Sequence, residues 1–220
     1  MLTNGANQST IKRSNRRLIF DVLNTFGKCS RTHLAEVTGL TKASVSNIVT
    51  EMIAEGTISE GEETGSGVGR KYVMLEISSN SPCAVSLSIN RDALFVSDVN
   101  LKGEIQFEQR IQLTQTETED SLLQKIFLAC DTAMSNTTKP LWGIGIASIG
   151  PLDLKEGCII SPPNFNTIKN FQIIEPLQKK YGVDVALDND MNAAALSEKL
   201  FGLGRKFENF VYLGISRGVG

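Results

Sequence analysis

At 220 residues, 41% hydrophobic and 21% charged with a formal net charge of −2, the chain has room for one large or two small globular domains with buried cores. No apolar run approaches the ~20 residues of a membrane span, and the first residues, "MLTNGANQSTIKRSNRR", lack the apolar core of a signal peptide, so a cytoplasmic protein with no membrane partner is expected. Cys29, Cys83, Cys130 and Cys158 are scattered without a C-x-x-C pair and His33 is the single histidine, which argues against a disulfide framework or a local zinc cluster.

Charge is uneven along the chain. Residues 1–50 hold seven basic side chains (Lys12, Arg13, Arg16, Arg17, Lys28, Arg31, Lys42) against two acidic ones (Asp21, Glu36), a local net of +5, and such asymmetry points to an anionic partner. In "NRRLIFDVLNTFG" the residues Leu18, Ile19, Val22, Leu23 and Phe26 repeat at helical spacing up to Gly27, predicting an amphipathic helix. "SRTHLAEVTGL" opens on the capping residue Ser30, turns Leu34, Ala35 and Val37 inward and breaks at Gly39. A third helix starts at Thr41, with Val45, Ile48, Val49, Met52 and Ile53 as its apolar stripe. Two short helices joined through a glycine turn make a helix-turn-helix pattern.

On the opposite face of the third helix lie Ala43, Ser44, Ser46, Asn47 and Thr50, short enough to enter a major groove and able to bond base edges or phosphates. Arg31 and Lys42 are placed to neutralise phosphates. The Gly-rich stretch after Gly56 reads as a wing between two strands, with Arg70 and Lys71 at its return, suited to backbone or minor-groove contact. The same outline would serve a three-helix protein-interaction module; its combination with basic charge and a polar recognition face favours double-stranded DNA. The expected DNA-binding residues are therefore Arg31, Thr41, Lys42, Ser44, Ser46, Asn47, Arg70 and Lys71, on a winged helix-turn-helix domain spanning 1–77.

"SSNSP" at 78–82 is a polar breaker and is expected to link this domain to a second one over 83–220. There "CAVSLSI", "ALFVSDV" and "EIQFEQRI" read as three antiparallel strands. A helix at about 119–135, a strand "LWGIGIAS", a helix around 171–181, a strand "VDVAL", a helix from about 190 to 201 and a strand "NFVYLGI" follow. Three antiparallel strands followed by alternating helices and strands describe an α/β, ribonuclease-H-like sheet, the first lobe of the actin, Hsp70 and sugar-kinase architecture. Asp190, where "VDVALDND" meets an alanine-rich helix, could be a catalytic base, a ligand-gripping carboxylate or a helix cap.

The strings "GIGIASIGPLDLKEGCIISPPNF", "VALDNDMNAAALSEKLFG" and "FVYLGISRGVG" resemble the ROK family of sugar kinases and sugar-responsive repressors. With "SRTHLAEVTGLTKASVSNIV" and "GVGRK" the chain is similar to the repressor branch, typified by the xylose and N-acetylglucosamine repressors. The resemblance implies sugar binding by Asn164, Asn189 and Asp190, the last matching the proton-abstracting aspartate of the kinases. It also implies a second lobe that is largely missing here, since the sequence stops where that lobe begins, and with it go the family's zinc ligands, so no metal is assigned. Family kinases open this domain with an Asp-x-Gly-Gly-Thr turn that cradles ATP phosphates. Here Ser88 replaces the acid and Asn90, Arg91 and Asp92 replace the Gly-Gly-Thr core, which argues against a catalytic role. The expectation is a homodimeric repressor of carbohydrate genes, without a cofactor, that binds operator DNA and a sugar or sugar phosphate. The rival readings are an ATP-dependent sugar kinase with an appended DNA-binding domain and a sugar-insensitive DNA-binding dimer.

Overall fold

The computed structural model describes residues 8–64, 72–163, 165 and 167–215; its contacts divide the chain into two units, Met1–Ser81 and Pro82–Gly220. The first unit contains α1 (Gln8–Phe26), β1 (Cys29–Ser30), α2 (Arg31–Thr38), α3 (Lys42–Ala54), β2 (Ile58–Thr64) and β3 (Tyr72–Ile77). Its strands form an antiparallel sheet in the order β1-β3-β2.

Both short helices end as their sequences dictate. The Ser30 hydroxyl accepts a hydrogen bond from the His33 amide (3.2 Å) and Gly39 closes α2 at φ 71° with its amide on the Ala35 carbonyl, a left-handed position that favours glycine. Thr41 caps α3 by accepting from the Ser44 amide (3.1 Å). Ile19, Val22, Leu23, Leu34, Ala35, Val45, Ile48, Val49 and Met52 are buried in this unit's core. Leu18, Phe26 and Val37 differ from the expected stripes and are exposed. They lie at the edges of helices whose buried arc is only as wide as the neighbouring elements can cover, and the Phe26 ring packs edge-on against His33 instead, 5.6 Å between centroids. α1 also begins at Gln8, ahead of the stripe read from the sequence.

The second unit opens with β4 (Cys83–Ile89), β5 (Ala93–Asn100) and β6 (Ile105–Gln112), an antiparallel meander, followed by α4 (Glu119–Ser135) and β7 (Leu141–Ser148). The short strands β8 (Leu152–Asp153), β9 (Cys158–Ile159) and β10 (Phe171–Gln172) pair among themselves, and α5 (Ile174–Tyr181), β11 (Asp184–Asn189) and α6 (Asp190–Leu200) complete the order. The main sheet is mixed, β11-β7-β4-β5-β6, with β4, β7 and β11 parallel. Val85, Leu87, Ile89, Leu94, Val96, Ile144 and Ile146 face a core that Leu122, Ile126, Ala129, Cys130 and Ala133 of α4 and Leu177 of α5 cover.

Two elements depart from the sequence reading. The helix expected around 171–181 starts at Ile174, because Phe171 and Gln172 pair with Ile159 and Cys158. The strand expected at "NFVYLGI" is not formed: residues 208–214 carry no strand pairing, and Val211, Leu213 and Ile215 stand exposed. Apolar residues of high strand propensity become a strand only against a neighbouring edge, and among the described residues none pairs with 208–214. All four cysteines are free and buried. Burial pushes the Cys83 thiol up to about 11 and the Cys130 thiol up to about 12, so both are held as unreactive thiols.

Glu117, buried just ahead of α4, accepts hydrogen bonds from Thr114, Ser121 and Lys125. Burial alone would raise its pKa, but these bonds outweigh it and hold the carboxyl at about 2. A carboxylate depressed in the folded state stabilises above its unfolded pKa, near 4.5, and loses that contribution as pH falls towards 2. Between those limits the wild type is expected to lose about 3 kcal/mol more stability than Glu117→Gln, which has no carboxyl to titrate there. Parallel acid titrations of urea unfolding would refute this if the two curves kept a constant offset.

Candidate functional site

The outward face of α3 carries the residues expected to meet DNA, but they are not equivalent. Thr41, Lys42, Ser46, Asn47 and Thr50 are exposed and Ser44 is half-buried. Thr41 and Ser44 are committed to the helix start, the Thr41 hydroxyl donating to the Ser44 hydroxyl (2.9 Å) while accepting the Ser44 amide. The Thr50 hydroxyl donates to the Ser46 carbonyl (2.9 Å), a bond within its own helix. Among the described residues Lys42, Ser46 and Asn47 have no side-chain partner, so their polar groups are open to a ligand. A row of short polar side chains on a helix whose other face buries Val45, Ile48, Val49 and Met52 can be presented to a groove without displacing any packing.

The basic residues of the first 50 positions are mostly answered from within the unit. Lys12 pairs with Glu51 (2.8 Å), Arg16 forms a two-point pair with Glu55, Arg17 lies 3.7 Å from Asp21 and Lys28 lies 3.7 Å from Glu76. Arg31 donates to Glu60 at 2.8 Å. Its guanidinium therefore braces the start of α2 against β2 rather than standing free for phosphate. The Arg16–Glu55 hydrogen bonds raise the arginine pKa and lower that of Glu55, as an ion pair should. Over residues 1–77 the count becomes nine basic against eight acidic residues, so the charge asymmetry of the first 50 is largely internal. Among the described residues Arg13 and Lys42 are the cations of α1 to α3 with no such partner. Arg70 and Lys71 lie outside the described residues.

The sugar-site candidates sit at the carboxyl edge of the sheet. The parallel strands β4, β7 and β11 end in register at Ile89, Ser148 and Asn189, and ligands of open α/β sheets bind beyond such ends. Three turns meet there: Asn90–Asp92 after β4, Ile149–Pro151 after β7 and the β11–α6 junction. They are tied by the Ile149 amide, which bonds the Ile89 carbonyl (3.3 Å), and by the close approach of Gly150 to the Asn189 amide group, 3.6 Å from where a β-carbon would stand. An open cavity of about 210 Å³ lies at this edge, lined by Gly150, Pro151, Leu152, Leu154, Asp188, Asn189 and Asn192.

Asn189 both lines the cavity and caps α6, its Oδ1 accepting the Met191 amide at 3.0 Å. Asp190 Oδ1 accepts the same amide at 3.0 Å, but the cap of α6 is Asn189 and Asp190 is the first residue of the helix, so the helix-cap role read for Asp190 falls to its neighbour. Asp188 and Asn192 were missed by sequence reasoning. Asp188 Oδ1 takes the Asn189 amide (2.7 Å) and the Asn192 side-chain amide (3.0 Å), orienting both towards the cavity wall. Their i, i+4 spacing across the strand–helix junction was the available signal. Asn164 lies outside the described residues.

In the turn after β4 the Asn90 amide closes on the Ala93 carbonyl (2.9 Å), the Asn90 side chain donates to Ser88 (3.3 Å) and Asp92 lies 3.7 Å from Arg110. None of Asn90, Arg91 and Asp92 takes a positive φ, so this turn lacks the left-handed backbone that a pair of glycines permits. Among the described residues no three His, Cys, Asp or Glu side chains gather as a metal site, and no helix is long and apolar enough to cross a membrane.

Similarities to known proteins extend over both units. The chain is 31% identical to the xylose repressor of Bacillus subtilis over 218 residues, 98% of this chain and 56% of that protein. A crystal structure of a ROK family transcriptional regulator, a homologue of the E. coli MLC protein, superimposes with a TM-score of 0.79 at 25% identity, covering 96% of this chain and 54% of that one. A ROK hexokinase from Thermus thermophilus aligns with a TM-score of 0.56 at 26% identity over 63% of this chain and 45% of its own. The chain thus spans about half the length of the relatives it matches, and its α/β unit shares the actin-like fold of both repressors and kinases. The sequence model of the ROK family matches residues 85–220, and the chain belongs to that family.

Proposed function

We propose that this chain is a sugar-responsive, DNA-binding transcriptional regulator: a cytoplasmic repressor of carbohydrate-utilisation genes, released from its operator by a sugar or sugar phosphate. In this reading residues 1–77 form a winged helix-turn-helix, 78–82 a linker and 83–220 the sensing lobe. The observation that carries it is one of coverage. Repressor relatives match across both units, 98% of the chain, whereas the hexokinase likeness covers 63%. The open Lys42, Ser46 and Asn47 side chains support α3 as the reading helix, with Thr41 and Ser44 forming its capped entrance and Arg70 and Lys71 beside the phosphates. A homodimer presents two such helices to two half-sites about one helical turn (~34 Å) apart.

Asn189 and Asp190 at the sheet edge, with Asn164, hold the sugar hydroxyls. Neutral amides supply directed donors and acceptors, and a carboxylate accepts strongly from hydroxyls. The sugar weakens DNA binding only if it binds the DNA-free arrangement more tightly than the bound one. No cofactor enters this reading.

Fluorescence anisotropy on the protein's own upstream promoter DNA, with D-xylose, N-acetylglucosamine, glucose and their phosphates added in turn, tests it. Sequence-specific binding that one of these weakens is expected. ATP-dependent phosphorylation of any of them by the purified chain would favour the kinase reading, and specific binding that none alters would favour a sugar-insensitive dimer. Asp190→Ala is expected to leave operator affinity within twofold and remove the sugar effect; a persisting effect would place the sensor elsewhere.

A further inference from the structure

We propose that Glu117 is a positioning residue that clamps residues 167–170 of the loop between β9 and β10, and so holds the backbone that follows Asn164 in the chain. The ligand consequence rests on the sensing role proposed above for that asparagine.

The loop leaves β9 and returns to β10, and its neck is closed by the Asn170 amide on the Ile160 carbonyl (2.8 Å), with Asn170 itself at φ 52°. Phe165 and Ile168 are buried in the core of the α/β unit, so these described residues of the loop are held by packing as well as by its closed neck. Besides the Ile160 amide on the Pro151 carbonyl (3.0 Å), two of its polar ties run to the start of α4. The Thr167 hydroxyl donates to the Glu117 carbonyl and the Lys169 amide donates to Glu119 Oε1 (3.3 Å).

The Glu117 amide donates to the Thr114 carbonyl (3.3 Å), and its side chain adds to this hold on the turn. Oε1 accepts from the Thr114 amide (3.2 Å), the Thr114 hydroxyl (3.1 Å) and Lys125 Nζ (2.5 Å), and Oε2 accepts from the Ser121 hydroxyl (2.6 Å). The residue is 4% exposed, and a buried carboxylate is tolerated only when bonded in this way. None of these bonds is needed to start the helix, because Thr118 and Ser121 already cap α4 reciprocally. The charge is therefore spent on fixing the turn, and the turn holds the loop. The low pKa described above keeps that charge in place at neutral pH.

Hydrogen exchange on the full chain tests the clamp. In Glu117→Gln, which keeps the shape and removes the charge, peptides spanning 160–170 are expected to exchange about tenfold faster, with those of α1 to α3 unchanged. Thr167→Val cuts the same tie from the loop side, serves if Glu117→Gln fails to fold, and is expected to accelerate the same peptides. The double variant is expected to add nothing beyond the larger single effect, since both break one connection. Unchanged exchange at 160–170, or an equal rise over all of 83–220, overturns the clamp. Calorimetric titration with D-xylose, N-acetylglucosamine and glucose reads the consequence. For whichever sugar the wild type binds, about tenfold weaker binding is expected in Glu117→Gln, and an unchanged Kd overturns the link to the ligand. If the wild type binds none of the three, the sensing reading fails for them while exchange still decides the clamp.

Discussion

Asn47→Ala is expected to weaken binding to the cognate operator by 10- to 100-fold while changing affinity for random DNA less than twofold. The side chain is exposed in the middle of α3's outer face, and its amide has no partner among the described residues, whereas the Thr41, Ser44 and Thr50 hydroxyls are already committed. An amide that bonds a base edge at two points contributes about 1–3 kcal/mol of discrimination, and each 1.4 kcal/mol is about tenfold in affinity. Thr50→Ala is the control, because the Thr50 hydroxyl already bonds the Ser46 carbonyl and its loss should alter operator affinity little. Both variants should melt close to wild type, since exposed substitutions rarely move stability by more than about 0.5 kcal/mol. Equal losses on operator and random DNA would make Asn47 a phosphate contact and remove the base-reading role.

A larger loss is expected from the other unit. Ile126→Ala should destabilise the α/β unit by about 2–5 kcal/mol, the range for emptying a fully buried aliphatic site. Ile126 is 0% exposed and belongs to the cluster formed by α4 and the core face of the main sheet. The removed methyls leave a cavity that the surrounding strands, held in register by their hydrogen bonds, can only partly fill. Leu128→Ala, two residues along the same helix but 66% exposed, should change stability by less than about 0.5 kcal/mol. Urea unfolding followed by far-ultraviolet circular dichroism compares the two, and similar midpoints would show that α4 does not pack as described.

The pair also marks what the sequence could reveal. α4 was legible over 119–135 because its period put Leu122, Ile126 and Cys130 on one side, and the strands 83–89 and 141–148 were legible as apolar runs between breakers. The α2 and α3 boundaries were legible because Ser30, Gly39 and Thr41 satisfy end groups with atoms at most four residues away. At the sheet edge, Asn189 and Asp190 could be singled out as chemistry-bearing residues.

Beyond that local range the tertiary structure decided. Sequence periodicity set which face of α1 turns inward, but how much of it is covered depended on α2 and α3, so Leu18 and Phe26 are left outside. The basic excess of the first 50 residues looked available to an anionic partner until folding brought Glu51, Glu55, Glu60 and Glu76 to it, in two cases across 39 residues of chain. Asp188 and Asn192 became part of the cavity only because β11 lies beside β7, which carries Gly150 to Asn189. Glu117 gained its meaning only when the 160–170 loop folded against it, 50 residues away. By itself the sequence determined most of the helices and strands, the capped ends of α2 and α3 and the buried centre of each apolar stripe, because caps, turns and periodicity act over at most a few residues. Which charges are spent, which asparagines meet and which strand stays unpaired depend on contacts between distant segments, and only the tertiary structure could decide them.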